Sequence, residues 1–96
     1  MTEAQYQVHV IRRLKDTFPG CTVLKNDSGY QQGIPDWSLF WGEKWGMLEI
    51  KGHADAPVQP NQAYFIEKFN GESFAAFIYP ENEEEVFCAL QEAFAS

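Results

Sequence analysis

Apolar residues follow a helical period near both ends of the chain. Residues 2–18 predict an amphipathic helix that Thr2 can cap and that Pro19-Gly20 ends. The apolar positions of this helix are Tyr6, Val10, Ile11, Leu14 and Phe18. Residues 83–94 repeat the pattern behind an acidic first turn. The apolar stripe of this second segment consists of Val86, Phe87, Leu90 and Phe94. Each helix is therefore expected to bury one face.

Between these helices the pattern changes to that of strands. Residues 21–25 are rich in β-branched side chains, and residues 36–41 and 45–51 flank a short turn at 42–44. Because the turn is so short, it predicts an antiparallel hairpin. Residues 26–33 are polar and contain two glycines, which is typical of a loop.

The second half of the chain adds a helix and a strand to this prediction. Pro60 suits the first turn of a helix that runs to about Phe69, and Asn70-Gly71 is expected to end it. Residues 74–79 are continuously apolar, which predicts a strand buried on both faces. The predicted order is αβββαβα, so we expect one α/β domain over residues 1–96.

Composition indicates a folded protein in a reducing compartment. Apolar residues make up 45% of the chain and aromatic residues 16%, which is enough for a core. Cys21 and Cys88 form no metal-binding spacing, so a reduced cytoplasmic setting is the simpler interpretation, although one disulfide stays open. The first residues lack the basic start and apolar run of a signal peptide, and no apolar run approaches the ~18 residues of a membrane span. We therefore expect cytoplasmic localisation and no membrane partner.

The net charge of −7 argues against a nucleic-acid partner until its distribution is considered. Residues 1–71 carry eight acidic and seven basic residues, whereas residues 72–96 carry six acidic and no basic residues. Arg12, Arg13 and Lys15 form a basic cluster on the first predicted helix. We therefore interpret the acidic C-terminal part as a solvated outer face that lies away from any phosphate.

Two acidic residues and a lysine carry the candidate chemistry. Asp36 follows Pro35, and the fixed φ of proline makes a stiff entry into the strand. Glu49 and Lys51 lie two residues apart on the next strand and point to the same face. Taken singly, Asp36 could be an ordinary turn residue, and Glu49 with Lys51 could belong to a solvated strand face. A central strand, however, buries charges at a cost of several kcal/mol unless they are paired or bind a metal, and two carboxylates suit Mg²⁺ or Mn²⁺.

Residues 33–36 (Gly-Ile-Pro-Asp) and 49–52 (Glu-Ile-Lys-Gly), followed by residues 59–64, resemble the motif of the PD-(D/E)XK nuclease superfamily. The chain looks most similar to its VRR-Nuc family and to Holliday-junction resolvases, over most of its length. The resemblance implies a restriction-endonuclease-like αβββαβ core with a mixed four-stranded sheet, to which this chain adds a C-terminal helix. It also implies metal-dependent hydrolysis of DNA phosphodiester bonds.

The resemblance further implies a set of metal ligands. Asp36 and Glu49 match the two carboxylates that hold Mg²⁺ or Mn²⁺ in that superfamily, and the backbone carbonyl of Ile50 matches a third ligand. Glu3 matches an acidic residue that many members place beside the metal. The other interpretation of Glu3 is that it only stabilises the positive end of the first helix.

Two further residues receive roles in the same way. Lys51 matches the lysine that positions or activates the attacking water. Gln62 matches a glutamine on the helix after the Glu-x-Lys strand, which supports the site and the phosphate. Gln62 could also be an ordinary surface residue of a helix.

Polar residues around the motif leave two interpretations open. Lys25, Asn26, Ser28 and Tyr30 form a polar rim ahead of the motif, and they either contact DNA or serve ordinary loop chemistry. His53 follows the Glu-x-Lys segment and is a weaker candidate for a phosphate contact.

The expected function is that of a small metal-dependent endonuclease on DNA. The small size favours a structure-selective enzyme that cuts branched or four-way-junction DNA, working as a homodimer; that substrate rests on family analogy. A nicking or restriction-type nuclease is the alternative enzyme. A catalytically inactive DNA- or protein-binding module on the same fold is the alternative from another class, and an acidic DNA mimic ranks last.

Overall fold

The computed structural model describes residues 1–95, and within them the chain forms an α/β fold with three α-helices and one four-stranded mixed sheet. The elements in chain order are α1 (Glu3–Thr17), β1 (Thr22–Lys25), β2 (Trp37–Trp41), β3 (Lys44–Ile50), α2 (Pro60–Glu72), β4 (Phe74–Ile78), a short 3₁₀ helix (Pro80–Asn82) and α3 (Glu83–Ala95). This order confirms the predicted succession of helices and strands.

The sheet has the strand order β1-β2-β3-β4. β1, β2 and β3 pair antiparallel, which confirms the predicted hairpin between β2 and β3. β4 pairs parallel to β3, with Glu49 opposite Phe77 and Ile50 opposite Ile78. A parallel partner needs a crossover connection, and α2 supplies it. The carboxyl ends of β3 and β4 therefore lie side by side.

The two faces of the sheet differ in what covers them. α1 and α3 pack on one face, where Leu39, Leu48 and Ile78 belong to the buried core. α2 packs on the opposite face, where Phe69 stands edge-on to Trp45. Since side chains alternate along a strand, Glu49 projects away from the core and toward α2.

The amphipathic pattern of α1 placed its buried face correctly. Of the five predicted apolar positions, Tyr6, Val10, Leu14 and Phe18 are at most 3% exposed, whereas Ile11 is only partly buried. Thr2 caps the helix by accepting a hydrogen bond from the backbone N–H of Gln5. This cap fixes where α1 begins and so where Glu3 lies.

α2 is longer than predicted. The helix continues through Asn70-Gly71 to Glu72, so the expectation that these two residues end it is wrong. An interior glycine costs only about 1 kcal/mol relative to alanine, and the ion pair between Lys68 and Glu72 spans the extra turn. The Asn70 carboxamide accepts a hydrogen bond from the Ala75 N–H, which ties the end of α2 to β4.

The acidic C-terminal part is not a solvated face throughout. Glu83 is only 9% exposed and accepts hydrogen bonds from Tyr6 and Arg13, with His9 Nε2 at 2.9 Å. Burial alone would raise the pKa of Glu83, but the hydrogen bonds from His9, Arg13 and Tyr6 outweigh it and hold this pKa below its usual value. Arg13 also pairs with Glu84, so its charge is directed to α3. Arg12, Arg13 and Lys15 all lie on α1, as predicted, and the charge of Arg13 is paired with Glu83 and Glu84.

None of the helices within residues 1–95 is long and apolar enough to cross a membrane.

Candidate functional site

The candidate site lies where β2 begins and β3 ends. Trp37 pairs with Leu48 across the hairpin, so the preceding residue, Asp36, comes opposite Glu49. Residues directly opposite each other on antiparallel strands project to the same face. The backbone N–H of Asp36 donates to Glu49 Oε1 at 3.3 Å, which fixes this neighbourhood. The structure thus brings the two predicted carboxylates together.

Glu49 is an acidic side chain inside the protein. It is 3% exposed. Burial, the negative charge of Asp36 and a hydrogen bond to Asp36 raise the pKa of Glu49 to about 7, against the lowering effect of Lys51. A buried carboxylate beside a second carboxylate is a costly arrangement that a cation would relieve.

Lys51 and Gln62 complete the cluster on the α2 side. Lys51 Nζ lies 3.9 Å from Glu49 Oε2 and donates to Gln62 Oε1 at 3.1 Å. Gln62 Nε2 lies 3.5 Å from Glu49 Oε2, at the limit of a hydrogen bond. Gln62 Oε1 also accepts the N–H of Gln59 at the start of α2. Gln62 therefore connects the helix start to both charged side chains.

The entry to β2 is fixed by residues that pack rather than react. Pro35 is fully buried, and Gly33 has a φ of +88° that favours glycine. A Cβ on Gly33 would come within 2.8 Å of the backbone of Asn61, so the loop lies directly against the first turn of α2. This contact places Asp36 beside the helix that carries Gln62.

Asn26 is the residue whose role the sequence left open and the structure defines. Its Nδ2 donates to the carbonyl of Pro35 at 2.8 Å, and its Oδ1 accepts from the buried Ser38 hydroxyl at 2.9 Å. Its backbone N–H donates to the Asp36 carbonyl at 2.7 Å. Asn26 therefore holds the segment that carries Asp36. The partners lie 9–12 residues away, so no local pattern could identify this role.

Lys25 also faces the site. Its Nζ lies 3.6 Å from Asp36 Oδ1 and 4.9 Å from the ring centre of Trp37. Lys25 is about half exposed, so its ammonium is accessible to solvent beside Asp36. Of the polar rim, Tyr30 is 91% exposed.

Glu3 lies beside the end of β3, where its side chain binds a backbone N–H instead of joining the Asp36–Glu49 pair. Its Oε1 accepts the N–H of Gly52 at 3.0 Å, and a Cβ on Gly52 would come within 3.3 Å of the Glu3 side chain. Within residues 1–95, no group of three or more His, Cys, Asp or Glu side chains is arranged to hold a metal ion. The structure therefore ties Glu3 to the site through the backbone, and its role as a metal ligand stays a prediction.

The donor set fits a hard divalent cation. Carboxylate oxygens are the ligands that Mg²⁺ and Mn²⁺ prefer, and Mg²⁺ commonly takes one or two protein carboxylates and keeps several waters. Asp36 and Glu49 supply two such groups at one point of the sheet, and Ile50 ends β3 next to Glu49. These residues are the ones that could hold the metal.

Comparisons of this chain with protein-family models, with curated proteins and with solved structures gave no match. The resemblance to PD-(D/E)XK nucleases therefore rests on the motif residues alone, and the nuclease core and the VRR-Nuc relationship stay predictions.

Proposed function

We propose that this protein is a metal-dependent endonuclease that hydrolyses DNA phosphodiester bonds on a PD-(D/E)XK core. The observation that carries the proposal is the cluster of Asp36, Glu49, Lys51 and Gln62 at one end of the sheet. A buried carboxylate, a second carboxylate and a lysine held by one glutamine are costly to assemble for stability alone. Strongly perturbed acidic groups of this kind concentrate at functional sites.

The chain's own residues divide the work of such a reaction. Asp36 and Glu49 hold the divalent cation, with the Ile50 carbonyl as a further ligand. When bound, Mg²⁺ or Mn²⁺ stabilises charge on the phosphate oxygens and supplies a nucleophile at neutral pH. Lys51 directs its ammonium at the phosphate or at the attacking water. Gln62 is a positioning residue, because it holds Lys51 at 3.1 Å.

DNA is the substrate that the charges around the cluster favour. Lys25 and Lys51 lie on either side of the two carboxylates, and a bound cation adds further positive charge there. The acidic residues after position 71 are concentrated in and just before α3, which packs on the opposite face of the sheet. The negative charge of the chain is therefore compatible with phosphate binding at the site.

A homodimer acting on branched DNA is the finer form of the proposal. Leu24 and Phe40 are 52% and 42% exposed. Leu24 pairs with Ser38 and Phe40 pairs with Thr22. These pairings place both apolar side chains on the sheet face that α2 covers elsewhere. Such exposed apolar residues are typical of interfaces. Light scattering at several protein concentrations distinguishes a dimer from a monomer.

A cleavage assay tests the proposal. The purified protein is incubated with supercoiled, linear, flapped and four-way-junction DNA in Mg²⁺, Mn²⁺ or EDTA. Asp36→Asn removes one carboxylate of the cluster and Lys51→Met removes its ammonium, and Asp55→Asn, at an exposed carboxylate in the loop after β3, is the matched control. We expect metal-dependent cleavage in the wild type and the control and at least a hundredfold loss in both cluster variants.

The outcomes separate the rival functions. Tight DNA binding without cleavage of any substrate identifies an inactive binding module. Cleavage of duplex DNA without preference for branched forms identifies a nicking or restriction-type nuclease. Cleavage that survives in both cluster variants would contradict the proposed site.

A further inference from the structure

A groove of about 340 Å³ opens directly beside Lys51, on the β4 side of the cluster. Its walls include Lys51, His53, Val58, Phe77, Tyr79 and Asn82. Apart from Lys51, the residues of these walls have no role in the reaction proposed above. Its volume falls within the range of pockets that hold small ligands.

The parallel pairing of β3 and β4 places the side chains of Phe77 and Tyr79 in the wall of this groove. Phe77 is the register partner of Glu49, and residues paired in this way project to the same face of a sheet. Tyr79 follows two residues later in extended conformation, so it continues on that face beside Lys51. The N–H of Lys51 donates to the Ile78 carbonyl, which keeps the two chain segments adjacent.

Asn82 makes the groove a preformed feature. Its Oδ1 accepts the N–H of Tyr79 at 2.9 Å, and its Nδ2 donates to the Phe77 carbonyl at 3.0 Å. Both aromatic residues are thereby held at their backbone by one side chain. A ligand that enters the groove therefore does not have to order this backbone segment first.

The chemistry of the groove changes along its length. Phe77, Tyr79 and the half-exposed Val58 supply apolar surface. Lys51 supplies a cation where the groove meets the cluster, and His53 lies on the exposed side. A ligand that matches this order has a flat, largely apolar body joined to an anionic group. A nucleotide has both parts, with the base as the flat body and the phosphate as the anion.

A base can use such a groove only when it has left the duplex. Paired bases are stacked on their neighbours, and proteins that bind a single base bind it unpaired or extruded. Stacking on aromatic side chains is the sequence-tolerant way to hold an unpaired base.

We propose that the groove between β4 and the loop after β3 binds the unpaired nucleobase next to the phosphate that Lys51 contacts. The inference rests on the proposed nuclease function and deepens it, because it assigns the part of the molecule that selects branched DNA. The substrate is DNA with an unpaired nucleotide at the cleavage position, as in a flap or at an open junction. Selection of branched DNA then follows from the groove rather than from contacts to a paired helix.

A binding measurement tests the groove independently of cleavage. The probes are a flapped and a fully paired DNA, each with 2-aminopurine at successive positions, bound in Ca²⁺ and followed by fluorescence and anisotropy. Tyr79→Leu removes a stacking surface, and Val58→Asp places a negative charge in the groove at an exposed position. Tyr64→Leu, at a 60% exposed tyrosine of α2, is the matched control. Thermal melting confirms that each variant is folded.

We expect the wild type to bind the flapped DNA more tightly than the paired DNA and to change the 2-aminopurine signal at one position next to the branch. Tyr79→Leu and Val58→Asp should each weaken binding of the flapped DNA about tenfold and lose that signal, while Tyr64→Leu binds as the wild type does. Equal affinity of the wild type for both DNAs, or folded groove variants that keep the preference, would overturn the inference.

The cleavage assay in Mg²⁺ on the same DNAs separates the two proposals. Cleavage by the wild type with an unchanged preference in the groove variants means that the groove inference fails and the nuclease function stands. Groove-dependent binding without cleavage in any metal means that the groove inference stands and the nuclease function fails. Absence of DNA binding overturns both.

Discussion

Replacement of Gly33 by alanine should lower the free energy of unfolding, because Gly33 lies where the loop before β2 contacts α2. Gly33 has a φ of +88°, a conformation that side chains other than glycine adopt at a cost of about 1–2 kcal/mol. The added Cβ would also lie 2.8 Å from the backbone carbon of Asn61, closer than the 3.4–4 Å of ordinary contact. The loop and the first turn of α2 must therefore move apart by roughly half an ångström or more.

The total expected loss of stability follows from these two effects. Overpacking of a tight contact typically costs about 1–3 kcal/mol, so the strain and the overlap together predict a loss of about 2–5 kcal/mol. Gly20→Ala is the matched control, because Gly20 has a φ of +86° but no atom within 4 Å of an added Cβ. The control should lose only the part due to backbone strain, about 1–2 kcal/mol.

Equilibrium unfolding in guanidinium chloride, followed by tryptophan fluorescence, measures both variants. The described contact predicts that Gly33→Ala is less stable than Gly20→Ala by at least about 1 kcal/mol. Under the proposed nuclease function, folded Gly33→Ala should also cleave DNA more slowly. The added Cβ displaces Asn61, and this displacement also moves the next residue, Gln62, away from Lys51. Equal free energies of unfolding for the two variants would refute the argument that Gly33 positions α2.

Two further substitutions test the contacts that hold the fold around the site. Glu83→Gln should cost about 1–3 kcal/mol at pH 7, whereas Glu84→Gln, at an exposed position, should change stability far less. Because folding lowers the pKa of Glu83, its contribution is complete above the ordinary glutamate pKa of about 4.3 and is lost as the pH falls below it, so wild type and Glu83→Gln should converge in acid; a constant difference in denaturation midpoint would contradict this. Asn26→Ala should cost about 1–3 kcal/mol in urea unfolding, because it leaves a buried hydroxyl unpaired, while its neighbour Ser28→Ala should stay within about 0.5 kcal/mol; equal losses would contradict the role of Asn26.

The geometry of the cluster could be anticipated because it depends on short-range rules. The i, i+2 spacing of Glu49 and Lys51 fixes their common face on any strand, and the short turn after Trp41 sets the hairpin that brings Asp36 opposite Glu49. The buried stripe of α1 follows in the same way from helical spacing.

The features that could not be anticipated depend on contacts between distant parts of the chain. Glu83 is separated by 70 residues or more from the side chains that surround it, so its acidic neighbours suggested a solvated face. α2 ends at Glu72 and is capped by Ser73, whose hydroxyl donates a hydrogen bond to the distant Trp45 carbonyl of β3, and the local helix-ending tendency of Asn70-Gly71 does not reveal this contact. The groove beside Lys51 exists because β4 runs parallel to β3, and a continuously apolar strand does not reveal which face each aromatic residue takes.

The central claim is that Asp36 and Glu49 together hold the divalent cation on which DNA hydrolysis depends. The most direct measurement is titration of the protein with Mn²⁺ followed by electron paramagnetic resonance. The account predicts that the wild type and the exposed control Asp55→Asn bind Mn²⁺ equally, while folded Asp36→Asn and Glu49→Gln each bind at least about tenfold more weakly. Equal Mn²⁺ affinity in all four proteins would contradict the account.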